Sequence, residues 1–574
     1  PNVTVTVTPP PPPPPPTTTD SRTEVIEYYD DPAKWVLGQQ KKLTVNGIVA
    51  SETTFTANAQ PETVKSFGKP QQTLTYNANG TIATVKDGNN NVTTLSNWKR
   101  GIPQTIQYPA TPESPAGAIE SAFVNDNGWI ESVKDENGYK TCYGYDAMGR
   151  LSSITYPSEA ATEVCDTSTW AQTTQVFETV AAAEYGIPAG HWRQTVATGN
   201  GKKISYYDAL WRPLVTREYD ATNVAGTQRF QRFAYDHDSR TTFASYPGTT
   251  DALTTGTWTD YDALGRVTSV GQDTELATSL QVTTTTYLTG FQTKVTNPRG
   301  QQTLTSYQTF DQPSQDSPVV INHPEGALTE IYRDAFGKPT TIRRRNLDNS
   351  LSLSRTYAYN ANQELCRTVE PETGATLTGY DAAGNLKWSS AGLGSATACE
   401  VDGISAAVAA RRVDRAYDAR RRLKTLVFPD GKGNQSWSYT PDGLPASVLA
   451  DNGGTDQVTT QYAYNHRRLL AEERMLWGSI SWPIAYAYNA NGHPSSQTYP
   501  DGLVVTYAPN ALGQPTQAGT YATGVSYYPN GAIKQFTYGN GIVHTMSQNA
   551  RQLPTRSTDC IVAGCTAAAD KRLD

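Results

Sequence analysis

Short segments of this chain alternate hydrophobic and polar residues, as half-buried β-strands do. Residues 503–507 read Leu-Val-Val-Thr-Tyr, and residues 73–76 read Thr-Leu-Thr-Tyr. Alternation with a period of two residues places one set of side chains on each face of a sheet. One face is then apolar and aromatic, and the other is rich in Thr, Gln and Ser. The pattern predicts a sheet made of many short strands.

Turn signals separate these segments. In Tyr145-Asp-Ala-Met-Gly-Arg150, Tyr closes a strand, Asp bonds its own backbone, and Gly supplies the positive φ angle. Arg150 then leads into the next apolar run. A second turn, such as Pro429-Asp-Gly431, brings the chain back. Each unit is therefore predicted to be a β-hairpin.

The hairpin unit recurs along most of the chain. After Tyr417, anchor residues lie at positions 439, 464, 488, 507 and 528, which gives a period of about 22 residues and about sixteen units in all. Turn residues that define the clearest repeats are Tyr145, Asp146, Gly149, Arg150, Tyr261, Asp262, Gly265, Arg266, Tyr380, Asp381, Gly384, Tyr488, Asn489 and Gly492.

The repeats suggest four segments. Residues 1–22 hold a Val/Thr strand and a polyproline spacer, residues 23–75 are lead-in strands, residues 76–556 carry the repeats, and residues 557–574 form a Cys-containing tail with a truncated repeat. Eight consecutive prolines must be extended and span about 25 Å. Residues 1–22 are interpreted as a spacer, or their Val/Thr strand docks on a sheet edge.

Sixteen hairpins give about 32 strands, which at about 4.8 Å each form a ribbon roughly 150 Å long. An open sheet of that length must coil, because strands twist. The predicted fold is thus all-β: one continuous, spiralling antiparallel sheet, curved into an open shell or barrel-like turn. The expected curvature gives about one turn with two open edges.

Composition and charge agree with an all-β protein and argue against some classes of partner. The 574 residues include 33 Tyr and 11 Trp but only 3 Met, and charged residues are 18%. A net charge of −7 argues against nucleic acid as the main partner. Arginine clusters at residues 343–345 and 420–422 are interpreted as ion pairs and stacks on Tyr rings, with a polyanion-binding strip as the alternative. No apolar run approaches the roughly 20 residues of a membrane span.

Six cysteines fall into three local pairs, and their grouping suggests disulfides that clip local excursions of the sheet. A zinc site would need closer Cys spacing or nearby His, which the sequence lacks. Disulfides indicate an oxidising, extracytoplasmic compartment. The candidates are Cys142, Cys165, Cys366, Cys399, Cys560 and Cys565.

Candidate catalytic chemistry is scarce. The sequence has no phosphate loop, nucleophile elbow or zinc-protease motif, and its six His are scattered singly. The repeated Asp residues are explained by their turns. We therefore expect no enzyme activity, no metal and no cofactor. Aromatic residues are expected to pack between strands, while Trp477 and Trp482 are the alternative candidates for stacking on a sugar.

The repeated Tyr-Asp-Ala-x-Gly-Arg unit resembles the YD-repeat, or Rhs-repeat, family over about residues 23–556. This family includes bacterial polymorphic-toxin shells, the cocoon component of insecticidal toxin complexes, and teneurin-like adhesion proteins. The resemblance implies a non-enzymatic, secreted or surface scaffold that forms part of a hollow shell and encloses or presents a polypeptide cargo such as a toxin. The alternative is an extracellular fibre or adhesive protein whose open edges and N-terminal tail join further copies, and which takes a surface glycan as partner.

Overall fold

In the computed structural model of this chain, the regular secondary structure is almost entirely β-strand. The structure describes residues 21–276, 280–309, 314–561 and 571–573. These residues form 44 strands and three short helices, and 39 of the strands belong to one hydrogen-bonded sheet while five belong to another. The predicted all-β, antiparallel fold is therefore confirmed. No helix of the described ranges is long and apolar enough to cross a membrane.

The strands are numbered in chain order. The first group is β1 (Glu24–Asp31), β2 (Val36–Val45), β3 (Ile48–Phe55), β4 (Pro61–Ser66), β5 (Lys69–Tyr76), β6 (Ile82–Lys86), β7 (Val92–Lys99), β8 (Ile102–Gln107), β9 (Ile119–Val124), β10 (Ile130–Lys134) and β11 (Lys140–Tyr145). Next come β12 (Leu151–Thr155), β13 (Thr173–Thr179), β14 (Trp192–Thr198), β15 (Gly201–Tyr207), β16 (Pro213–Asp220), β17 (Arg229–Tyr235), β18 (Thr241–Ser245), β19 (Gly256–Tyr261), β20 (Val267–Asp273), β21 (Leu280–Leu288) and β22 (Gln292–Thr296).

The second half continues in the same way. It contains β23 (Gln302–Tyr307), β24 (Pro318–Asn322), β25 (Ala327–Arg333), β26 (Pro339–Asn346), β27 (Ser352–Tyr359), β28 (Leu365–Glu370), β29 (Gly374–Tyr380), β30 (Leu386–Leu393), β31 (Arg412–Tyr417), β32 (Leu423–Val427) and β33 (Asn434–Tyr439). The last strands are β34 (Pro445–Asp451), β35 (Gln457–Tyr464), β36 (Leu470–Trp477), β37 (Ile480–Tyr488), β38 (Pro494–Thr498), β39 (Val504–Thr506), β40 (Ala522–Tyr527), β41 (Ile533–Tyr538), β42 (Val543–Gln548), β43 (Pro554–Cys560) and β44 (Lys571–Leu573). The helices are a 3₁₀ turn (Pro32–Lys34), α1 (Val224–Thr227) and α2 (Ala406–Ala409).

Neighbouring strands in the sequence pair with each other in antiparallel fashion, as a chain of hairpins requires. This holds at every successive step from β6 to β20, where each strand pairs with the next. The estimate of about 32 strands was too low. Hairpins such as β2–β3, which turns at Asn46-Gly47 with both φ angles positive, carry no Tyr-Asp signature and were not counted.

Contacts between Cα atoms divide the chain into two compact units, each with a small core. The first unit comprises residues 1–73 and 283–412, and the second comprises residues 74–282 and 413–574. A cluster in the first unit consists of Ala375, Leu377, Trp388, Leu393 and Val408. A cluster in the second unit consists of Ile187, Ile204, Tyr206, Val215 and Phe230.

Within each unit, residues about 300 positions apart lie side by side. In the first unit the Lys69 Nζ atom is 2.5 Å from a Glu364 carboxylate oxygen, at a separation of 295 residues. In the second unit Arg420 donates to Glu136 across 284 residues. The chain therefore passes the same place twice within a unit, and the expectation of a single turn was wrong. Fewer strands separate the two passes than the roughly 32 expected for one turn, since Lys69 begins β5 and Glu364 directly precedes β28.

Several sequence-based expectations fall outside the described residues. The Val/Thr strand and the prolines of residues 1–20 are among them, as is Cys565. The predicted lead-in of residues 23–75 contains β1–β4 and most of β5.

Candidate functional site

The Tyr-Asp turn is held together by its Asp side chain. One Asp146 carboxylate oxygen accepts hydrogen bonds from the backbone N–H groups of Met148 (2.9 Å) and Arg150 (3.0 Å), and the other accepts from the Arg150 Nε at 2.6 Å. Gly149 lies at a φ of 79°, in the left-handed region that favours glycine. The Asp, Gly and Arg of the motif thus form one closed turn.

The other predicted turns repeat this arrangement. Asp262 accepts from Leu264, from the Arg266 backbone, and from the Arg266 Nε at 2.7 Å. Asp381 accepts from Ala383 and Asn385 in the same way. The Asn489 side-chain oxygen takes the place of the carboxylate oxygen and accepts from Asn491 and His493, each at 3.0 Å. The glycines Gly265, Gly384 and Gly492 have φ angles of 79°, 84° and 88°.

The repeat tyrosines connect each turn to the preceding one, a role that the sequence did not reveal. In most of them the hydroxyl donates to the carbonyl oxygen of the residue that follows the preceding turn of this kind, whereas Tyr207 donates to the Gln194 side-chain oxygen. The measured pairs are Tyr145 to Ile130 (2.8 Å), Tyr235 to Pro213 (3.0 Å), Tyr261 to Thr241 (2.9 Å), Tyr359 to Pro339 (2.9 Å), Tyr380 to Leu365 (3.0 Å), Tyr439 to Leu423 (2.6 Å), Tyr464 to Pro445 (3.0 Å) and Tyr488 to Leu470 (2.7 Å).

The motif arginines reach in the opposite direction, towards the following turn. The Arg212 guanidinium lies 4.9 Å from the Tyr235 ring centroid and donates to the Asp236 carbonyl oxygen at 3.1 Å. Arg240 stacks on Tyr261 at 5.0 Å and donates to the Asp262 carbonyl oxygen at 3.1 Å. Successive turns are therefore locked in both directions. The recurrence of Arg before the next Tyr was the sequence signal for this contact.

Side chains of both arginine clusters contact acidic or aromatic residues of the same chain. Arg345 lies 2.7 Å from a Glu330 carboxylate oxygen. Arg420 stacks on the Tyr108 ring at 4.3 Å, and Arg422 stacks on the Tyr439 ring at 4.3 Å. These contacts agree with the ion-pair and stacking interpretation.

Cysteine residues form two disulfides in the described ranges. Cys142 is bonded to Cys165 with a Cα–Cα distance of 6.0 Å, and Cys366 is bonded to Cys399 at 5.6 Å. The bridges close loops of 23 and 33 residues in separate parts of the sheet. The suggested partner of Cys560, which is Cys565, lies outside the described residues.

A seam runs through the second unit, where Tyr-Asp-type turns of residues 413–574 meet residues 74–282. Most of its contacts are polar, and the partners from residues 74–282 lie at strand ends away from the Tyr-Asp turns. The measured contacts are Arg420 to Glu136 (2.6 Å), the His466 N–H to Glu159 (3.1 Å), the Arg467 guanidinium over the Tyr156 ring (3.6 Å), the Ala171 N–H to the Ala490 carbonyl (2.7 Å), the Ala511 N–H to Asp220 (2.8 Å), Arg551 to Glu275 (2.9 Å) and Gln552 to the Pro247 carbonyl (2.7 Å).

A cleft of about 480 Å³ opens on this seam. It is lined by Glu120, Asp135 and Glu136, three tyrosines, and the turn at residues 466–468. Burial raises the pKa of Asp135. Burial, followed by the hydrogen bond to Glu120, raises the pKa of the nearby Tyr108 to about 12.

The three carboxylates of the cleft already have partners. Asp135 accepts from the backbone of its own turn at Asn137 and Tyr139, Glu120 accepts from the Tyr108 hydroxyl, and Glu136 pairs with Arg420. General acid–base chemistry needs carboxylates that face a substrate. Because these carboxylates bind other groups of the chain, the arrangement is that of a packed interface between strands. In the described parts of the chain, no group of His, Cys, Asp and Glu side chains could hold a metal ion.

The two tryptophans considered for sugar stacking differ in exposure. Trp477 is exposed at the end of β36, whereas Trp482 is half-buried and pairs with Met475 across the β36–β37 hairpin. Together they do not form a row of exposed rings. Trp477 instead lies beside another exposed apolar residue, Ile480.

Comparisons with known proteins agree with this repeat architecture. Residues 124–161 and 488–526 match the family model described as RHS Repeat. No curated protein matches the chain. Its fold is similar to that of TcdB2-TccC3 without the hypervariable C-terminal region, with a TM-score of 0.55, 12% identity, and coverage of 94% of this chain and 31% of that one.

A second similar structure is the Photorhabdus luminescens Tc holotoxin pore, with a TM-score of 0.58 and 12% identity. This match covers 96% of the present chain and 32% of the pore chain. The present chain thus spans about a third of the length of the two structures. At this identity the similarity establishes the fold.

Proposed function

Because residues 124–161 and 488–526 match the RHS Repeat family model, we propose that this chain is a scaffold that forms part of a β-shell and encloses or presents a polypeptide cargo. The proposed scaffold acts outside the cytoplasm and performs no catalysis itself. The similarity to TcdB2-TccC3 and to the Tc holotoxin pore supports a shell-like role.

The seam is the observation that carries this proposal. A sheet whose later strands pack on its earlier strands, through contacts such as Arg420–Glu136 and Arg551–Glu275, can exclude a protease from whatever lies behind it. The Tyr and Arg locks between successive turns add rigidity along the sheet, since repeat arrays are stabilised by nearest-neighbour contacts. Both features serve a barrier better than they serve a catalytic centre.

The cargo function is tested with a reporter. An unstructured, epitope-tagged polypeptide is fused after Asp574 of the full chain, and proteinase K digestion of the epitope is followed over time. We expect cleavage at least tenfold slower than for the same reporter fused to an unrelated folded protein. Equal cleavage rates would contradict enclosure.

A matched pair of variants shows whether the seam is responsible. Arg420→Ala with Arg551→Ala opens two seam contacts and should restore rapid cleavage of the reporter. Lys134→Met removes an exposed ion pair with Glu163 that lies outside the seam and should leave the protection intact. Protection that survives opening of the seam would contradict the role assigned to it.

The extracytoplasmic location is supported by the two disulfides, because such bonds persist in oxidising compartments. Protein from its native source is alkylated without reductant and its peptides are analysed by mass spectrometry. Cys142, Cys165, Cys366 and Cys399 should remain unalkylated until a reductant is added. Complete alkylation of all four without reductant would refute the proposed compartment.

A further inference from the structure

One Asp turn of the second unit lacks the side-chain partner that its equivalents have. In turns of this kind an Asp carboxylate accepts from the backbone N–H groups two and four residues further on. In the turn at Asp135 the residue four positions on is Tyr139. In the other described turns it is Arg, Lys or Asn, and these turns begin at Asp87, Asp146, Asp208, Asp236, Asp262, Asp334, Asp381 and Asp418.

The exchange of Arg for Tyr leaves one carboxylate oxygen of Asp135 without a donor. In the turns that contain Arg, the guanidinium Nε donates to the second carboxylate oxygen, at 2.6 Å in Asp146 and 2.7 Å in Asp208. Both hydrogen bonds to Asp135 go to the same oxygen, at 3.0 and 2.9 Å. Its other oxygen accepts none from any residue in the described ranges, and these residues do not seal it from water.

Asp135 lines the cleft of about 480 Å³ on the seam. One side of the cleft is formed by β9–β12 and the turns beside them, and the other by the turn at residues 466–468, so that both sides belong to described parts of the chain. Cavities of about 300–1,000 Å³ accommodate small organic groups, and aromatic rings attract cations. The aromatic residues of the cleft include Tyr139, Tyr143 and Tyr156.

The charges around the cleft leave Asp135 without a cation. Glu136 pairs with Arg420 at 2.6 Å, and Asp442 pairs with Arg468 at 3.0 Å. Asp135 forms no ion pair with any residue of the described ranges. A positively charged group from outside the chain would therefore complete the pairing.

The pKa of Asp135 agrees with a missing cation. Burial raises this pKa, and the charges of Asp442 and Glu136 add to the effect. The pKa of Asp146, which has its own arginine, is lowered instead. A cation bound beside Asp135 would stabilise its charged form and reverse the shift.

The surroundings of the cleft show which cation fits. Arg420 stacks on the Tyr108 ring at 4.3 Å while it pairs with Glu136, so that one guanidinium lies between a ring and a carboxylate. Arg467 stacks on the Tyr156 ring at 3.6 Å and forms no ion pair, with Asp135 or with any other described residue. A planar guanidinium can use its edge for a carboxylate and its face for an aromatic ring, whereas an ammonium group cannot.

From this match we propose that the cleft binds a guanidinium group from outside the chain, namely an arginine side chain of the cargo polypeptide, in the place of the missing motif arginine at Asp135. The inference rests on the scaffold function proposed above and adds the chemistry by which the cargo is held. The Asp135 carboxylate would pair with the guanidinium edge, and the tyrosines of the cleft would contact its face.

Binding is tested with short peptides and the full chain. Saturation-transfer difference NMR follows a titration with acetyl-Gly-Arg-Gly-amide up to about 10 mM, a range that suits a single weak contact. We expect saturable binding that is at least tenfold weaker for acetyl-Gly-Gln-Gly-amide and at least threefold weaker for acetyl-Gly-Lys-Gly-amide. Absence of binding, or equal affinity for the Arg peptide and either of the other two, would overturn the proposal.

Three variants locate the site. Asp135→Asn keeps the turn, as Asn489 does in its own repeat, and should weaken binding of the Arg peptide at least tenfold. Tyr139→Arg restores the motif arginine, which should occupy the site from within and abolish binding. Asp146→Asn is the matched control, because that carboxylate already has an arginine, and should bind the peptide like the unmodified chain.

Circular dichroism verifies that each variant is folded. Asp135→Asn leaves the stack of Tyr139 on His466 in place, so it remains informative if Tyr139→Arg disturbs the seam. Unchanged binding by Asp135→Asn, or an equal loss in Asp146→Asn, would overturn the proposal. Peptide binding needs no enclosed cargo and protease protection needs no cleft, so the titration and the reporter assay fail independently.

Discussion

At the scale of single residues, the repeat tyrosine serves as a hydrogen-bond donor between hairpins. The hydroxyl of Tyr261 donates to the Thr241 carbonyl oxygen at 2.9 Å, and Arg240 stacks on its ring. Tyr261→Phe keeps the ring and removes the bond, and should lower the local free energy of opening by about 1 kcal/mol. Hydrogen exchange of amides in β18 and β19 measures this change.

Tyr332→Phe is the matched control for this substitution. Tyr332 is partly exposed, and its hydroxyl donates no hydrogen bond to any residue in the described ranges. Its removal should leave exchange rates near β25 within experimental error. If Tyr261→Phe also left the amide exchange rates unchanged, the hydroxyl contact would have no role in joining hairpins.

Because of the motif carboxylates, the free energy of unfolding is expected to depend on pH in the acid range. Hydrogen bonds from the Arg266 side chain and backbone hold the pKa of Asp262 below its ordinary 3.8, and the Arg150 backbone and side chain do the same for Asp146. Folding therefore favours the charged form, so the stabilisation is complete above about pH 5 and is lost as the pH falls through 3.8 towards the lowered pKa. Urea denaturation midpoints at successive pH values should decline over this interval.

Asn is the informative replacement for these carboxylates, because Asn489 makes the same turn in another repeat. The double variant Asp146→Asn, Asp262→Asn should fold and should show a shallower decline of the midpoint with acid than the unmodified chain. An unchanged slope would mean that other groups set the acid sensitivity.

At the scale of the hairpin, glycine at the left-handed position sets the turn. Gly265 lies at a φ of +79°, and a Cβ placed there would be 3.4 Å from the Arg240 Nη1 atom, so the backbone angle rather than crowding opposes a side chain. Gly265→Ala should cost about 1–2 kcal/mol. Chemical denaturation measures the loss. Gly271→Ala, where φ is ordinary and the nearest atom lies at 3.7 Å, should be close to neutral.

Several hairpins tolerate a larger residue at this position, for example Arg421 and Arg468 at φ angles of 63° and 67°. Trp211 replaces the glycine at a φ of 65°, and its ring stacks on Phe177 at 5.1 Å and on Trp192 at 5.2 Å. Aromatic pairs contribute about 0.5–1.5 kcal/mol beyond the area that they bury, which is comparable to the backbone strain. The backbone strain at Trp211 is thus offset by the packing of these rings.

The turns could be predicted from sequence because their contacts are local. Asp146 and Arg150 are four residues apart, and each residue type has a fixed role in the turn. The tyrosine donor bonds and arginine stacks join residues about 20 positions apart, and the seam joins residues near 300 apart, for example Arg420 and Glu136. A repeat period alone does not give the number of residues in one full revolution of the sheet, because that number depends on how strongly each strand twists and coils against the next.

At the scale of the whole molecule, the stability of the second unit depends on ion pairs that the seam removes from water. The Arg420 and Glu136 side chains are 14% and 8% exposed. Removing one partner leaves the other charge buried without compensation, so Arg420→Ala should destabilise this unit by about 3 kcal/mol. Urea denaturation measures the total loss, and hydrogen exchange should show faster opening at both residues 135–145 and residues 417–422, although they are far apart in sequence. The exposed pair Lys134–Glu163 provides the comparison, since Lys134→Met should cost no more than about 0.5 kcal/mol. Faster exchange confined to residues 417–422 would show that the seam does not couple the two passes of the chain.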